Sequence, residues 1–297
     1  MKVIVVVLSF NSKKYIKECL DSLVLQKGVE VVVVEGGSTD GSKEYLRENF
    51  NKLKLIEIKK NLGYAGGNNV GLQYALDNKA DYVWIVNPDI VVAPGALEEM
   101  TKIMESDDKV AVVAPKIYFA AGYEFHKDKY KKKDLGRVIW YAGAENDWDN
   151  VFARHFGIDQ VDKGQFDKET EVGYASGSSM LLRADVLQKT GLIDERYFLY
   201  YEENDLCQRI KSIGYKLMYA PKSIAWHKVG QAAGIGSPFA DYYITRNRLL
   251  FGFKWAPFRT KLALFRESLK MIITGRPWQR KGVLDFYLGN FGCGSYA

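Results

Sequence analysis

Acidic residues and one imidazole stand at three places in this chain where strands end or helices begin. Asp89 follows the apolar run Trp84–Val86 after an Asn-Pro pair, the cluster Glu202–Asp205 opens a predicted helix, and His227 closes a late apolar stretch. Parallel α/β sheets hold ligands at the carboxyl ends of their strands, where Asp89 is expected. Carboxylate and imidazole both suit ions such as Mn²⁺. Together the three places can supply a metal ligand, a general base and a second metal ligand.

Each of these places also has an ordinary interpretation. Asp89 can belong to a strand-ending turn, and His227 can be a structural histidine, so the metal hypothesis depends on their lying close together. Acids in a first helical turn favour the helix dipole. However, the bulky segment Tyr197–Tyr201 precedes the cluster Glu202–Asp205, and apolar walls raise a carboxyl pKa toward the range a general base needs. We therefore interpret one of these acids as catalytic.

Two glycine-containing segments have the composition of nucleotide-binding loops. Glu35 follows a buried strand and precedes Gly-Gly, so its carboxylate can accept a hydrogen bond from a ribose hydroxyl or a pyrimidine N–H. The residues Ser38, Asp40 and Ser42 after it suit a turn and a helix cap. The segment Asn61–Asn69 is predicted as a Gly-rich loop that leads into a helix, whose N–H groups attract phosphate or ribose oxygens. It does not match the dinucleotide or P-loop pattern.

Predicted strands and helices alternate with short loops through residue 117, which indicates βαβ units and a parallel sheet. The predicted strands are Val3–Leu8, Glu30–Val34, Leu53–Ile58, Tyr82–Val86 and Val110–Ala114. The pattern breaks near Tyr118, and residues 118–171 are interpreted as an irregular insertion against the sheet. Order resumes with a strand Val172–Arg183, helices Ala184–Lys189 and Glu203–Ile213, and a strand Lys216–Tyr219.

The predicted organisation is a main domain of residues 1–240 and a basic, aromatic helical segment of residues 241–297. The main domain comprises a nucleotide-binding half (1–117), the insertion and an acceptor and catalytic half (172–240). The net charge of +6 suits an anionic partner, and no nucleic-acid recognition module is visible. Three widely spaced cysteines favour reduced thiols and a cytoplasmic location, and neither a signal peptide nor a membrane span is expected.

Eight motifs in their order along the chain resemble the large family of inverting, GT-A-type glycosyltransferases that includes bacterial rhamnosyltransferases. The motifs are Val5–Asn11, Val33–Ser42, Asn61–Asn69, Asn87–Asp89, Ser176–Arg183, Gly191–Phe198, Glu202–Arg209 and Trp226-His227. The resemblance implies a Rossmann-like α/β fold of GT-A type. Its central sheet is expected to be mostly parallel and flanked by helices, with a C-terminal helical extension.

The resemblance also implies roles for individual residues. Glu203 matches the position of the family's general base, where aspartate is commoner. Asp89 matches the last position of the family's D-x-D metal motif, and His227 matches a histidine that contacts the same Mn²⁺ or Mg²⁺ ion. The expected nucleotide contacts are Ser9, Asn11, Glu35, Asn61, Gly63 and Asn87, and the expected acceptor-side residues are Gly177, Glu202, Asp205 and Trp226.

Two positions depart from the family pattern. Asn87 replaces the first aspartate of D-x-D, so the cation is expected to depend on Asp89 and His227. Glu35 replaces the usual aspartate, and its extra methylene is expected to shift the preferred nucleotide.

The expected function is transfer of a sugar, with inversion, from a nucleotide-diphosphate-sugar donor to a hydroxyl of a glycan or lipid-linked acceptor. The basic segment from Tyr242 to Lys281 is expected to contact the inner face of the cell membrane, to form a homodimer, or to pack on its own domain. The main alternative is a non-catalytic scaffold that binds nucleotide-sugar or glycan. A sugar-phosphate nucleotidylyltransferase would need a basic Gly-rich loop after the first strand, and a dehydrogenase would need the dinucleotide fingerprint.

Overall fold

A single large sheet forms the centre of the computed structural model, which describes residues 1–228 and 237–296. The strands of the described residues are β1 Val3–Ser9, β2 Val29–Glu35, β3 Lys54–Glu57, β4 Tyr82–Val86, β5 Ile90–Val92, β6 Val110–Phe119, β7 Ile139–Tyr141, β8 Ala144–Asp147, β9 Phe152–His155, β10 Thr170–Glu171, β11 Ser179–Arg183 and β12 Lys216–His227. The large sheet has the strand order β10-β12-β6-β11-β4-β1-β2-β3, with β5 paired to β12 and β7 to β6, while β8 and β9 form a separate hairpin.

The predicted mostly parallel sheet is confirmed. β1 pairs in parallel with β2 and β4, β2 with β3, and β6 with β12. The central strand β11 runs antiparallel to both of its neighbours, β4 and β6. Valine-rich strands such as β1 are buried almost throughout because helices cover both faces of such a sheet.

Helices flank the sheet and continue beyond it at the C-terminal end. They are α1 Ile16–Val24, α2 Ser42–Asn49, α3 Gly63–Asp77, α4 Ala96–Ser106, α5 Ala184–Thr190, α6 Glu202–Ser212, α7 Pro238–Trp255, α8 Phe258–Thr274 and α9 Pro277–Tyr287. The helical C-terminal extension is therefore present. Within the described part of the chain, no helix is long and apolar enough to cross a membrane.

The Gly-rich segment is a helix rather than the loop that the sequence suggested. α3 begins at Gly63 and includes Gly66, Gly67 and Gly71. A Cβ atom on Gly67 would lie 2.6 Å from a methyl carbon of Leu8, and one on Gly71 would overlap Val6. The glycines therefore let α3 lie close against β1, and their function in packing was misread as that of a nucleotide-binding loop.

Three strand boundaries also differ from those predicted. β6 continues beyond Ala114 to Phe119, and only Ser179–Arg183 of the predicted strand Val172–Arg183 is extended. β12 passes Tyr219, shifts register between Ala220 and Ile224 and continues to His227. Pro221 lies in this irregular stretch, since a proline cannot donate to a regular ladder.

The C-terminal segment starts slightly earlier than the predicted boundary between residues 240 and 241. α7 begins at Pro238, and the hydroxyl of Ser237 caps it by accepting a hydrogen bond from the backbone N–H of Ala240. The parts of the two predicted regions formed by residues 229–236 and 297 lie outside the described residues.

Candidate active site

A short antiparallel pairing brings Asp89 and His227 together. β5 pairs with the end of β12 so that Ile90 lies opposite His227, and the backbone N–H of Lys228 donates to the carbonyl of Asp89 at 3.0 Å. Asp89 Oδ1 and His227 Nε2 are 3.3 Å apart. Asp89 Oδ1 and His227 Nδ1 are both buried without a hydrogen-bond partner. The two chain segments that were expected to converge therefore do so.

The Asp89–His227 pair has the donor set for a divalent ion. Ligand bonds of roughly 2.1 Å in octahedral geometry separate adjacent donors by roughly 3 Å, close to the observed spacing of Oδ1 and Nε2. One carboxylate and one imidazole suit Mn²⁺, which would complete its shell with phosphate and water. Among residues 1–228 and 237–296, no three or more His, Cys, Asp or Glu side chains are placed so that together they could hold a metal ion. The site therefore fits an ion that a bound diphosphate helps to hold.

Glu203 is fixed through one oxygen and free at the other. Its Oε1 accepts a hydrogen bond of 2.8 Å from the hydroxyl of Tyr174, whereas its Oε2 has no partner. Burial raises the pKa of the Glu203 carboxyl above its ordinary value, and the hydrogen bond from Tyr174 opposes this shift. A carboxylate that is oriented through one oxygen, has a buried and unpartnered second oxygen and has a raised pKa has properties of a general base.

Glu202 differs from Glu203 in being fully buried. Its Oε2 has no hydrogen-bond partner, and burial, followed by the nearby charge of Glu203, holds the pKa of Glu202 well above its ordinary value. Of the two acids, Glu203 is the one that accepts the hydrogen bond from Tyr174, which opposes the rise of its pKa, so Glu203 is the better suited of the pair to act as a base.

A wall of aromatic and imidazole rings links Glu203 to the Asp89–His227 pair. The ring centroid of Trp140 lies 4.5 Å from that of His227 and 5.0 Å from that of His155. His155 in turn stacks on Tyr174, the residue that donates to Glu203. Burial lowers the pKa of His155 to about 4, so this imidazole is neutral near pH 7.

Gly177 lies where the two parts of the site approach each other through the backbone. The next residue, Ser178, accepts a hydrogen bond of 2.9 Å from the N–H of Asn87, and the carbonyl of Gly177 accepts one from the hydroxyl of Tyr64. A Cβ atom on Gly177 would lie 3.2 Å from Glu203 and 2.7 Å from the Tyr64 hydroxyl. A side chain here would therefore crowd Glu203.

Three residues expected to contact a nucleotide meet at the carboxyl ends of β1 and β2. Ser9 lies opposite Glu35 in the ladder, and the amide oxygen of Asn11 accepts from the N–H of Thr39 at 2.8 Å. The carboxylate of Glu35 accepts from the N–H groups of Gly37 and Ser38, so it also shapes its own loop.

Asn61 and Gly63 lie at the start of α3. The side chain of Asn61 accepts from the N–H of Gly63 at 2.8 Å, and Gly63 has a φ of 71°, in the left-handed region. Lys60 approaches Gly37, because a Cβ atom on Gly37 would lie 3.3 Å from its Cα. The loops that contain Glu35 and Asn61 are therefore neighbours.

Two of the predicted acceptor-side residues have structural partners instead of an open surface. Asp205 is fully buried, and its carboxylate accepts from Arg209, Lys254 and Trp255 at 2.9, 2.7 and 2.8 Å. Trp226 donates to the carbonyl of Gly136 and, as the neighbour of His227 along β12, projects from the opposite face of the strand. The geometry groups only Gly177 and Glu202 with Glu203.

Sequence reasoning missed the side chains that line the site from outside the motifs. Tyr174 precedes the Ser176–Arg183 motif, and Trp140 and His155 belong to the insertion. The sequence signal available was the aromatic content of residues 118–171, which could not identify which rings face the site.

The comparisons with known proteins concern the family and the fold. A family model described as Glycosyl transferase family 2 matches residues 4–191, more than half of the chain. The match ends before Glu203 and His227, so those two residues depend on the structure and the sequence motifs.

Two curated relatives cover most of the chain. It is 23% identical over 244 residues to N-acetylglucosaminyl-diphospho-decaprenol L-rhamnosyltransferase of Mycobacterium tuberculosis, covering 77% of each protein. It is 24% identical over 231 residues to rhamnosyltransferase WbbL of Escherichia coli, which covers 76% of this chain and 83% of that protein.

A solved structure supports the fold. The mannosyltransferase PcManGT of Pyrobaculum calidifontis, in complex with GDP-Man and Mn²⁺, superposes with a TM-score of 0.57 at 17% identity, covering 97% of this chain and 74% of the other. At this identity the likeness shows the fold alone, and it confirms the predicted GT-A type.

Proposed function

The chain belongs to glycosyl transferase family 2, and on this premise we propose that it transfers a sugar, with inversion, from a nucleotide-diphosphate-sugar to a hydroxyl of a glycan or lipid-linked acceptor. The chain is a glycosyltransferase; the inversion, the base and the metal site are the proposed part. The observation that supports them most is Glu203, whose pKa is raised and whose Oε2 is unpartnered, on the same wall as Asp89 and His227.

Glu203 acts as the general base in the proposed reaction. Its Oε2 takes the proton of the acceptor hydroxyl while Tyr174 holds Oε1 in place. The acceptor oxygen bonds to the anomeric carbon from the side opposite the leaving group. The bond from that carbon to the diphosphate oxygen breaks, and its electron pair leaves with the nucleoside diphosphate. A single displacement of this kind inverts the anomeric configuration.

Asp89 and His227 would hold Mn²⁺ or Mg²⁺ beside the donor diphosphate. The bound ion would neutralise negative charge that develops on the leaving group. The replacement of the first D-x-D aspartate by Asn87 supports an ion that is held mainly when donor is present. Ser9, Asn11, Glu35, Asn61 and Gly63 would bind the nucleotide itself.

Release of nucleoside diphosphate from a panel of nucleotide-sugars tests the proposal. Turnover is measured with an acceptor mixture in Mn²⁺, in Mg²⁺ and in chelator, and the anomeric configuration of the product is read by NMR. We expect metal-dependent release and an inverted product. A retained configuration would overturn the mechanism. Donor binding without release, by folded protein, would favour the non-catalytic scaffold.

We also propose that α8 contacts an anionic membrane surface. Its buried face, which includes Thr260, Leu264 and Ser268, packs within the protein. The opposite face exposes an apolar stripe at helical spacing, formed by Phe258, Leu262, Phe265, Leu269 and Ile273. Arg259, Lys261, Arg266 and Lys270 belong to the same helix. Apolar stripes with basic neighbours suit the interface of anionic lipid.

Vesicle sedimentation tests the α8 proposal. We expect binding to vesicles that contain phosphatidylglycerol, and Phe265→Ser with Leu269→Ser should weaken it about ten-fold or more, since each buried apolar side chain contributes roughly 1.5–3 kcal/mol. Leu25→Ser, at a leucine elsewhere that is more exposed than Phe265 or Leu269, is the control. A double variant that changes the oligomeric state while vesicle binding is unaltered would assign the stripe to a homodimer.

A further inference from the structure

The backbone just before the proposed base adopts an unusual conformation. In the approach segment, residues 196–201, Phe198, Tyr200 and Tyr201 have φ values of 65°, 71° and 74°. Bulky side chains rarely occupy this left-handed region, and such residues persist only where their surroundings hold them. α6 begins directly after this segment, so the position of Glu203 depends on it.

Two adjacent side chains of α7 hold the approach segment. The amide nitrogen of Asn247 donates to the carbonyls of Tyr197, Leu199 and Tyr200 at 2.8, 2.7 and 2.9 Å. Arg246 donates to the carbonyls of Arg196 and Tyr197 at 3.1 and 2.9 Å.

Arg246 also orients Asn247. Its Nε donates to the amide oxygen of Asn247 at 3.0 Å, which directs the amide nitrogen toward the approach segment. Both side chains are fully buried. Within residues 1–228 and 237–296, Arg246 makes no ion pair with a carboxylate; its charge faces carbonyl oxygens and the rings of Tyr242 and Tyr243. Burying a guanidinium charge without a carboxylate partner costs free energy. Packing alone therefore does not explain why Arg246 is buried here, whereas its hydrogen bonds to the approach segment do.

α7 also holds α6 at a second place. Lys254 and Trp255, at the end of α7, donate to the carboxylate of Asp205 at 2.7 and 2.8 Å. Asp205 lies in the first turn of α6, two residues after Glu203. The helix that carries Glu203 is therefore tied to α7 both through its approach segment and through its first turn.

The approach segment also contacts the start of α3. The N–H of Ala65 donates to the carbonyl of Phe198 at 3.2 Å, and a Cβ atom on Gly63 would overlap the same carbonyl. The segment therefore lies between α7 and the helix predicted to face the nucleotide.

We propose that Arg246 and Asn247 are positioning residues that hold Glu203 in register with the donor, so that the C-terminal segment completes the active site. The proposal rests on the proposed role of Glu203 as base. A displacement of about 1 Å in a reacting group can cost on the order of 100-fold in rate. Residues that fix the backbone before Glu203 therefore act on the rate through Glu203, without touching substrate.

The test compares Asn247→Leu, which removes the donor at similar size, with Arg246→Lys, which keeps the charge and one donor group. Tyr243→Phe is the matched control, because it removes a hydrogen bond from the same helix to the carbonyl of Cys293 and keeps the ring that stacks on Phe198 and faces Arg246. All three variants are assayed as full-length chains with the donor that the wild type uses best. The folded fraction of each variant is measured by circular dichroism.

The expected result separates positioning from general stability. Asn247→Leu should lower kcat on the order of 100-fold, Arg246→Lys should lower it less, and the KM for donor should stay within about two-fold of the wild type. Tyr243→Phe should keep the wild-type kcat and pH profile at equal folded fraction.

The pH profile supplies a readout that lost stability alone would not move. Once the approach segment relaxes, water reaches Glu203 and the acidic limb of kcat should shift to lower pH. None of the variants changes the titratable groups around Glu203. These groups are Glu202, Tyr174, Tyr64, Tyr200, Tyr201 and Cys207.

Two outcomes would overturn the positioning role. One is a folded Arg246→Lys or Asn247→Leu enzyme with the wild-type kcat and pH profile. The other is a loss of activity that follows the folded fraction alone, with an unshifted profile. If Asn247→Leu does not fold, Arg246→Lys decides between these results. A wild-type protein that turns over no nucleotide-sugar would instead refute the proposed function, so the two failures are distinguishable.

Discussion

The two halves of the active site are held in place by different kinds of contact. In the nucleotide-binding half, Glu35 and Asn61 accept hydrogen bonds from backbone N–H groups no more than three residues away. In the catalytic half, Glu203 is held by Tyr174, 29 positions away, and its approach segment by Asn247, 47 positions from Tyr200. The side chains of Glu35 and Asn61 are therefore held within their own loops, although Asn11 and Thr39 join one of these loops to the end of β1, whereas Glu203 is held by distant parts of the chain.

This difference predicts how substitutions in each half should behave. A side chain that is held within its own loop can be replaced without moving distant parts of the chain, so Glu35 and Asn61 should affect donor affinity. A base held by remote contacts affects the chemical step, so its residues should affect kcat. Substitutions that lower kcat at constant KM remove interactions made in the transition state, whereas those that raise KM alone remove uniform binding. Separate measurement of kcat and KM therefore tests the comparison directly.

The largest effect is expected for Glu203→Gln. The amide keeps the size and the acceptor oxygen for Tyr174 but cannot take a proton, so kcat should fall about 1,000-fold, within the range for loss of a general base. Donor affinity, measured by calorimetry, should stay unchanged. Glu203→Asp retains a carboxylate and serves as the control, with an intermediate rate. Turnover by Glu203→Gln within ten-fold of the wild type would exclude Glu203 as the base.

The wild-type pH profile supports the same assignment independently. Because the carboxylate is the active form and burial raises the pKa of Glu203, kcat should increase with pH through a value above the ordinary 4.5 of a glutamate. An acidic limb that remains in Glu203→Gln with the same midpoint would show that another group titrates.

The next largest effect is expected for Asp89→Ala, a substitution in the nucleotide-binding half. Loss of charge stabilisation at a leaving group typically costs on the order of 100-fold, so kcat/KM should fall by about that factor and lose its response to Mn²⁺. The Mn²⁺ titration is followed by intrinsic fluorescence in the presence of nucleoside diphosphate.

The structure offers a matched control for this metal site. His126 and Asp159 form a second imidazole–carboxylate pair, 3.7 Å apart, at a more exposed position. His227→Ala should weaken the Mn²⁺ response, whereas His126→Ala should leave it unaltered. Equal behaviour of the two histidine variants would disprove a specific ion site at Asp89.

A smaller effect is expected for Glu35→Gln. If the carboxylate accepts a hydrogen bond from the nucleotide, its neutral replacement should raise the KM for donor roughly ten-fold and leave kcat unchanged. This factor corresponds to the loss of about 1.5 kcal/mol, the contribution of a hydrogen bond to a charged group. Initial-rate kinetics and the thermal midpoint are measured together. An unchanged KM with a lowered midpoint would mean that Glu35 only shapes its loop, as its bonds to Gly37 and Ser38 allow.

The contrast between the halves also explains what the sequence could predict. Most strands and helices of residues 1–117 follow from local periodicity: β4 was predicted with its observed bounds and β1 and β2 to within one residue at each end, whereas the short β5 was missed. The glycines of α3 were misread because their reason is close contact with Val6 and Leu8, which sequence spacing does not reveal.

The catalytic half was only partly predictable, for a physical reason. The motif at Glu202–Arg209 is contiguous and could be recognised, but Tyr174, Trp140, Arg246 and Asn247 act across large sequence separations. Nothing local distinguishes Asn247 from an asparagine on a solvated helix face. Its burial and its three carbonyl partners exist only once α7 has packed against the approach segment.

The smallest expected effect is on stability, at Glu202. The pKa of Glu202 is raised in the folded protein. At pH values between the ordinary pKa and the raised one, the folded state therefore binds more protons than the unfolded state. The free energy of unfolding consequently falls as the pH increases through this range. Glu202→Gln removes this loss. At pH 8 the thermal midpoint of Glu202→Gln should exceed that of the wild type by about 2–4 °C, which is the shift that roughly 1 kcal/mol produces in a large domain. Near pH 4 the two midpoints should be equal.

Glu44→Gln is the matched control, since Glu44 is an exposed acid in the first turn of α2. Its charge favours the helix dipole, so its loss should lower stability by a few tenths of a kcal/mol at pH 8. If Glu202→Gln behaves like Glu44→Gln, the Glu202 carboxylate is ionised and serves the helix dipole. Opposite signs for the two variants would instead show that burial keeps Glu202 neutral, leaving Glu203 as the ionised member of this pair of neighbouring acids.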